Sequence, residues 1–279
     1  MKAPLDSAVQ PSLLWNLAFQ RQVAQDPSAR PLVIGVGVGD KVVSSLETLV
    51  HGETSEGASE NLRYVERLAK SLLWIHGGSR IIIGGSDKIA SELAGQYSAQ
   101  GKRAFDADLL GSQIFLQDFR VDSCSLDQMP AVASDGDEAL GRHVDGCRIG
   151  FDLGGSDRKA AAVIDGEVVF SEEIGWDPYF QSDPQYHFDG IVKSIQKAAK
   201  HLPRVDAIGG SAAGVYVANE VRAASLFRGV SPANFDQRVR RIFFDVMESL
   251  GWSDKPWRVV NDGEVTAWPA RCPSAETVF

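Results

Sequence analysis

The first 145 residues alternate between short apolar runs and segments with helical periodicity. Residues 31–38 form an apolar run rich in β-branched side chains, which is typical of a buried strand. From Ser59, apolar residues recur at helical spacing until Gly77 and Gly78, which predicts a helix that ends there. The pattern also predicts a peripheral helix around residues 13–19, a strand at 80–83, a helix capped by Ser86 or Asp87, and a strand near 114–121. Strands that alternate with helices in this way predict a small α/β domain.

A polar, acidic connector from Ser123 to about Asp145 follows this domain, and after it the pattern changes. Three short strands are predicted in succession, at residues 147–152, 159–164 and 167–170. Asp165-Gly166 between the last two is a strong signal for a two-residue hairpin turn. We therefore predict an antiparallel meander, and two domains at 1–145 and 146–279.

The remaining elements complete a recognisable order. We predict a helix from about Asp189 to Pro203, a strand at 205–208 that opens into a glycine-rich loop at 209–214, a long helix from about Asn234, and a strand at 257–260. The order βββαβαβ is that of one ribonuclease-H-like lobe. The predicted fold class is thus α/β: a ribonuclease-H-like, actin-like ATPase lobe preceded by a small α/β domain.

Composition narrows the classes of function. The chain has 279 residues, of which 44% are apolar and 23% charged, enough for one or two ordinary cores. Its net charge of -9 disfavours non-specific binding to nucleic acid, although local donors and a metal ion could still hold a small anion such as ATP. The three cysteines are widely spaced and match neither a disulfide framework nor a metal knuckle. With no signal peptide and no membrane span in the sequence, we expect a cytoplasmic protein with no membrane partner.

The segment DLGGSDRK at residues 152–159 carries the candidate chemistry, because it lies on the turn between the first two strands of the meander. Two adjacent glycines, Gly154 and Gly155, let backbone amides close around phosphate oxygens. The carboxylate of Asp152 can hold Mg²⁺ through water, while the Ser156 hydroxyl and the Lys159 amine can face a transferring phosphate. The alternative is an ordinary Gly-Gly hairpin turn with solvated charges.

The spacing D-x-G-G-S-x-x-K, followed by an apolar strand and a D-G turn, resembles the first phosphate motif of the ROK family of sugar kinases, which usually has Thr where this chain has Ser156. Two later segments fall in the family's order, at residues 208–214 and 259–267. The resemblance implies that ATP and Mg²⁺ are bound through Asp152, Gly154, Gly155, Ser156 and Lys159. It also implies that Asn261 and Gly214 contact the sugar and that Asp262 takes the proton of the attacking hydroxyl. Alone, Asn261-Asp262-Gly263 is also an ordinary turn signal.

The resemblance covers roughly residues 148–267. A complete family member continues into a second lobe with a further phosphate loop and an adenosine pocket, and no such motifs follow Ala267. Pro269 and Pro273 interrupt the helix expected there. The interpretation is a truncated or frame-shifted chain, in which one lobe holds Mg²⁺ and phosphate weakly and turns over negligibly.

The expected activity is ATP-dependent phosphorylation of a hexose-type sugar, with the sugar and ATP as small-molecule partners. The alternative is a non-catalytic sugar sensor built on the same lobe, although the acidic, strand-bearing N-terminal region argues against DNA readout. An aromatic-rich stretch at residues 179–188 is expected to be a packed loop, with homodimer contact or sugar stacking as the other readings.

Overall fold

The computed structural model describes residues 11–133 and 144–267. The chain divides into two compact units, Met1–Glu138 and Ala139–Phe279. The helix that the sequence predicts to be interrupted by Pro269 and Pro273 lies outside the described residues. No helix in the described part of the chain is long and apolar enough to cross a membrane.

The first unit is built on a four-stranded sheet in the order β2-β1-β3-β4. Its strands are β1 (Arg30–Val38), β2 (Lys41–Val50), β3 (Arg80–Gly84) and β4 (Arg120–Cys124). Strand β1 is antiparallel to both β2 and β3, whereas β3 and β4 are parallel. Strand β2 was not predicted from the sequence. It is an edge strand with only Val42 and Val50 buried, so it lacks the apolar run that identifies a central strand.

Helices of the first unit pack on this sheet. They are α1 (Ser12–Val23), α2 (Asn61–His76), α3 (Asp87–Gln96) and α4 (Ala104–Ala107), with 3₁₀ turns at Glu56–Glu60 and Leu126–Gln128 and a π-helix at Asp108–Phe115. The cap predicted for α3 is confirmed, because the Ser86 hydroxyl accepts a hydrogen bond from the Ile89 amide at 3.3 Å. The core is fully buried and centred on Leu32, Ile34, Leu73, Ile81 and Ile83.

The strand predicted near residues 114–121 is wrong except at Arg120 and Val121. Ile114 belongs to the π-helix, which buries Leu110 and Ile114 on one side. Leu116 then adopts a left-handed φ of 55°, which ends the helix, and β4 begins only at Arg120. A short apolar run fits a buried helix as well as a strand, so periodicity alone did not separate them.

The second unit is built on a five-stranded sheet in the order β11-β8-β5-β6-β7. Its strands are β5 (Cys147–Leu153), β6 (Asp157–Ile164), β7 (Glu167–Gly175), β8 (Ala207–Ala212) and β11 (Trp257–Asn261). Strands β5, β6 and β7 form the predicted antiparallel meander, and β8 and β11 run parallel to β5. This topology confirms the ribonuclease-H-like lobe. A separate hairpin, β9 (Val215–Val217) with β10 (Glu220–Ala223), was not predicted.

The predicted turn between β6 and β7 is also confirmed. Asp165 and Gly166 both have positive φ, 49° and 88°, as a type I′ turn requires. The Asp165 carboxylate accepts a hydrogen bond from the Gly146 amide at 2.7 Å, which ties the turn to the start of the unit.

Two helix predictions need correction. Helix α5 (Pro184–Ala199) begins five residues before the predicted Asp189, because the Asp183 carboxylate caps it by accepting from the Gln185 amide at 3.0 Å. Tyr186 and Phe188 are therefore helical rather than part of a loop. The long helix predicted from Asn234 is broken into three pieces: α6 (Pro232–Asn234), a π-helix (Phe235–Val239) and α7 (Ile242–Ser249). A 3₁₀ turn at Ser225–Phe227 and α8 (Asp262–Ala267) complete the unit.

One face of the second sheet carries its core. Alternate residues of β5, namely Ile149, Phe151 and Leu153, are buried with Ile195 of α5 and Phe243 of α7. The intervening residues of β5, among them Asp152, lie on the opposite face.

Strand β8 extends through the glycines that were predicted to form a loop. Gly209 to Ala212 pair with both β5 and β11. Gly210 is needed there because an added Cβ would overlap the ring of Phe151. The run therefore serves close packing inside the sheet, and only Ala213 and Gly214 leave it.

Candidate functional site

Residues 154–156, the glycine bend, join β5 to β6. The Gly154 amide donates to the carbonyl oxygen of Asp157 at 2.9 Å and closes the bend. The amides of Gly155 and Ser156 donate to no acceptor within residues 144–267. Two neighbouring N–H groups without acceptors are available to bind an anion.

Residues 176–183, the aromatic loop, support the glycine bend from one side. The Trp176 indole donates to the carbonyl oxygen of Gly154 at 2.8 Å, and its amide donates to that of Ser156 at 3.0 Å. The Tyr179 hydroxyl lies against Gly155, where an added Cβ would overlap it. Position 155 therefore has room only for glycine. Trp176 was not identified from the sequence, and Tyr179 was predicted only as part of a packed aromatic loop, because both are about twenty residues from the bend they contact.

Asp152 occupies the middle of a row of polar side chains across three strands. Lys159 of β6 and Ser211 of β8 are its direct cross-strand partners. The Ser211 hydroxyl donates to Asp152 Oδ1, a contact that the sequence did not reveal. An open groove of about 490 Å³ runs along this face and is lined by Gly150, Asp152, Lys159, Ser171 and Glu173, among others.

This arrangement suits Mg²⁺ that is bound mainly through water and the phosphates of a substrate. The described residues contain no group of three or more acidic, His or Cys side chains that could hold a metal ion. Mg²⁺ is commonly bound through one or two carboxylates, several waters and the phosphates of a substrate. Asp152 is a partly exposed carboxylate next to the glycine bend, so it suits such a site.

Ser156 and Lys159 share an unpredicted partner, Asp157. The Ser156 hydroxyl donates to Asp157 Oδ2 at 2.8 Å, and Lys159 Nζ lies 3.2 Å from Asp157 Oδ1. Lys159 also lies 4.0 Å from Glu173. The hydrogen bonds from Ser156 and Lys159 lower the pKa of Asp157, and the bond to Asp157 raises the pKa of Lys159. The two predicted phosphate contacts are thus held beside the bend by a carboxylate that the motif itself contains.

Asn261 and Gly214, the two predicted sugar contacts, lie together. The Asn261 side-chain amide donates to the carbonyl oxygen of Gly214 at 2.7 Å. Its oxygen accepts from the Gly263 amide at 2.8 Å. These bonds fix the end of β11 against the loop that follows β8.

Asp262 is the first residue of α8. Its Oδ1 accepts a hydrogen bond from the Gly263 amide at 2.9 Å. Its charge also reaches Tyr216 of β9: burial raises the pKa of that phenol, and the negative charge of Asp262 raises it further. Asp262 itself is exposed at the end of β11.

The candidate residues meet at one edge of the sheet. Strands β5, β8 and β11 are parallel, so their carboxyl ends lie side by side. The glycine bend follows β5, Gly214 follows β8, and Asn261 and Asp262 follow or end β11. One strand separates β5 from β11, which sets their ends about 10 Å apart. That spacing leaves room for a phosphoryl group and an acceptor hydroxyl between the two groups of residues.

No protein-family model matches the chain, and no curated protein matches it. Part of the chain matches solved structures. An inorganic polyphosphate/ATP-glucomannokinase from Arthrobacter sp. strain KM is 18% identical over 42% of this chain and 45% of its own, with a TM-score of 0.33. A ROK hexokinase from Thermus thermophilus is 14% identical over 46% of this chain and 38% of its own, also at 0.33.

A ROK family transcriptional regulator, a homolog of the E. coli MLC protein, is 16% identical over 45% of this chain and 30% of its own, with a TM-score of 0.30. The chain therefore spans less than half the length of each of the three structures. Solved structures of ROK-family proteins are thus among those that match the chain, over a part about the size of one lobe.

Proposed function

We propose that residues 144–267 form the phosphate- and sugar-facing lobe of a ROK-type sugar kinase. Its reaction is ATP-dependent phosphorylation of a hexose-type hydroxyl. One observation carries the proposal. A bend with two unpaired amides, next to a carboxylate suited to Mg²⁺, lies at the same sheet edge as Asn261 and Asp262.

The phosphate side of the proposed site has three components. The amides of Gly155 and Ser156 receive phosphate oxygens, and Asp152 holds Mg²⁺ through water. Mg²⁺, when bound, neutralises charge on the phosphates. Lys159 adds a positive charge on the strand that leaves the bend, and the Ser211 hydroxyl fixes the carboxylate of Asp152. Positioning and charge neutralisation are the main requirements of phosphoryl transfer.

The acceptor side is formed by the ends of β8 and β11. Asn261 and the backbone of Gly214, already joined by a hydrogen bond, orient the sugar. Asp262 accepts the proton of the attacking hydroxyl as the phosphoryl group arrives. A sugar hydroxyl is a weak nucleophile, so a carboxylate within hydrogen-bond reach both aligns it and takes its proton.

The reaction is tested by offering the purified chain Mg²⁺-ATP and a panel of hexoses, with phosphorylated sugar as the readout. We expect Asp262→Asn to lower turnover by about 10²- to 10⁴-fold, because the general base is lost. Mg²⁺-ATP affinity should stay unchanged, since Asp262 is on the acceptor side. Asp254→Asn, an exposed substitution of the same kind elsewhere in the unit, is the control.

Calorimetry separates the kinase from a sugar sensor on the same lobe. A hexose that binds only in the presence of Mg²⁺-ATP supports the kinase. A hexose that binds equally well alone, with no phosphorylated product, supports the sensor and rejects the kinase proposal. Turnover that survives Asp262→Asn would reject the assigned base.

A further inference from the structure

An exposed arginine lies beside the glycine bend without a partner of opposite charge. Arg228 follows the 3₁₀ turn Ser225–Phe227. Its guanidinium carbon lies 4.0 Å from the centroid of the Tyr179 ring and 5.2 Å from that of Phe180. No described residue forms a hydrogen bond or ion pair with the guanidinium of Arg228. Contact with the faces of aromatic rings stabilises a cation without occupying its N–H donors.

Tyr179 connects this arginine to the bend. The Tyr179 hydroxyl lies against Gly155, while the face of the same ring carries Arg228. The neighbouring Gly229 also packs on the aromatic loop, since an added Cβ there would lie 2.7 Å from the carbonyl oxygen of Gln181 and 3.0 Å from that of Tyr179. Arg228 is thus held at a fixed place within one side chain's length of the unpaired amides.

Seven other arginine side chains of this unit already have hydrogen-bond or ion-pair partners. Each of the following donates to, or pairs with, a carboxylate, hydroxyl or carbonyl oxygen: Arg148, Arg158, Arg204, Arg222, Arg238, Arg240 and Arg241. A guanidinium with all five N–H donors available, next to an anion-accepting bend, matches the planar fork of a phosphate group.

We propose that Arg228 is a phosphate-binding residue of this site, and that Tyr179 and Phe180 are its positioning residues. The inference rests on the proposed function, because it concerns the phosphate chain that the glycine bend would hold. The ligand chemistry is a chain of phosphoryl groups, as found in a nucleoside triphosphate or in inorganic triphosphate. Arg228 binds its non-bridging oxygens.

The test is calorimetric titration of the full chain with Mg²⁺-ATP and, separately, with Mg²⁺-tripolyphosphate at low ionic strength. We expect Arg228→Ala to weaken both ligands about tenfold, the effect of losing one charge-assisted hydrogen bond to phosphate. Arg204→Ala removes the same charge from an exposed arginine at the opposite end of β5 and should leave both affinities unchanged. Gly155→Val crowds the bend and tests the proposed function; it also meets the Tyr179 hydroxyl, so its effect is compared with that of Arg228→Ala.

The ring support is tested by two substitutions of Tyr179. Tyr179→Phe keeps the ring and should keep the affinity, whereas Tyr179→Leu should lose as much as Arg228→Ala. Tyr179→Leu combined with Arg228→Ala should lose no more than either change alone, because both remove one interaction. A purely structural role for Tyr179 would instead lower the melting temperature and add to the effect of Arg228→Ala.

The outcomes separate the two claims. If Gly155→Val weakens both ligands and Arg228→Ala weakens neither, the arginine assignment is overturned and the kinase proposal stands. If Arg228→Ala weakens ATP alone, the contact is with the nucleoside and the phosphate assignment is wrong. If Arg228→Ala weakens binding and Gly155→Val does not, Arg228 contacts phosphate but the glycine bend does not. That result overturns the placement of the phosphate at the bend. A chain that binds neither ligand overturns both.

Discussion

At the scale of single residues, position 155 of the glycine bend requires glycine because the hydroxyl oxygen of Tyr179 occupies the space of a side chain. We predict that Gly155→Ala lowers the free energy of unfolding by about 1–3 kcal/mol, because the added methyl group overlaps that hydroxyl and forces the aromatic loop to shift. Denaturant unfolding followed by tryptophan fluorescence measures the loss.

Gly150→Ala is the matched control for that prediction. Gly150 is on β5, the strand that leads into the bend, and an added Cβ there meets nothing within 4 Å. It should therefore cost little stability. Equal losses at both positions would show that glycine is required for reasons other than the contact with Tyr179.

A second residue-scale prediction concerns His187, which is fully buried in α5. Its Nε2 donates to the carbonyl oxygens of Pro178 and Leu226, each at 3.0 Å. Burial lowers the pKa of His187, so the unfolded chain takes up a proton near pH 6.5 that the folded chain resists. The stabilisation is complete above that pH and is lost as the pH falls below it.

We therefore expect the free energy of unfolding to decrease between about pH 7.5 and pH 5.5, and His187→Gln to reduce that dependence while lowering stability at both pH values. His76→Gln, an exposed histidine, is the control and should leave the profile unchanged. An unaltered pH profile in His187→Gln would show that other groups cause the dependence.

Part of the candidate site was accessible from the sequence at this scale. Asp152, the two glycines and Lys159 are close in sequence, so a spacing pattern exposes them. Ser211, Trp176 and Tyr179 reach the same place only through the pairing of β5 with β8 and the return of the chain after β7. Their contacts depend on tertiary packing, which local spacing does not encode.

At the scale of secondary-structure elements, helix α5 depends on its N-cap residue, Asp183. We predict that Asp183→Ala costs about 1 kcal/mol, because it removes the acceptor for the Gln185 amide at the N-terminus. It also removes the ion pair with Arg238 at 3.1 Å. Thermal unfolding measures the change.

Asp189→Ala, six residues after Asp183 and within the same helix, provides the comparison. It removes a carboxylate that bonds only the side chain of Gln185, at 2.8 Å, and should cost distinctly less. If the two substitutions cost the same, capping is not the source of the stability of α5.

The start of α5 also shows where prediction from sequence failed for elements. Apolar periodicity located the helix but placed its beginning at Asp189, whereas the Asp183-Pro184 pair is the true start signal. The opposite error occurred at β8, where glycines suggested a loop although Gly210 accommodates the ring of Phe151 inside the sheet. In both cases a side-chain contact, rather than hydrophobic pattern, sets the boundary.

At the scale of the whole molecule, charge decides which large partners are excluded. With a net charge of -9, the chain repels a polyanionic backbone. We expect no saturable binding to a fluorescently labelled DNA duplex at micromolar protein in about 150 mM salt, as measured by anisotropy. Saturable binding there would reveal a local basic surface and favour a regulatory role over catalysis.

The strand order was the most predictable feature at this scale, because three consecutive short strands and a D-G turn leave few arrangements for the chain. Hairpin β9–β10 and edge strand β2 were missed, since neither buries a continuous apolar run.

Asp157 gives the candidate site a resident anion of its own. Ser156 and Lys159 already contact the carboxylate of Asp157, and its lowered pKa keeps it ionised. A phosphate must therefore replace Asp157 before it can bind Ser156 or Lys159. This competition lowers the affinity of the site for a phosphorylated ligand. Under the proposed function, such self-competition would favour release of a bound phosphate and would require a high concentration of the phosphate donor.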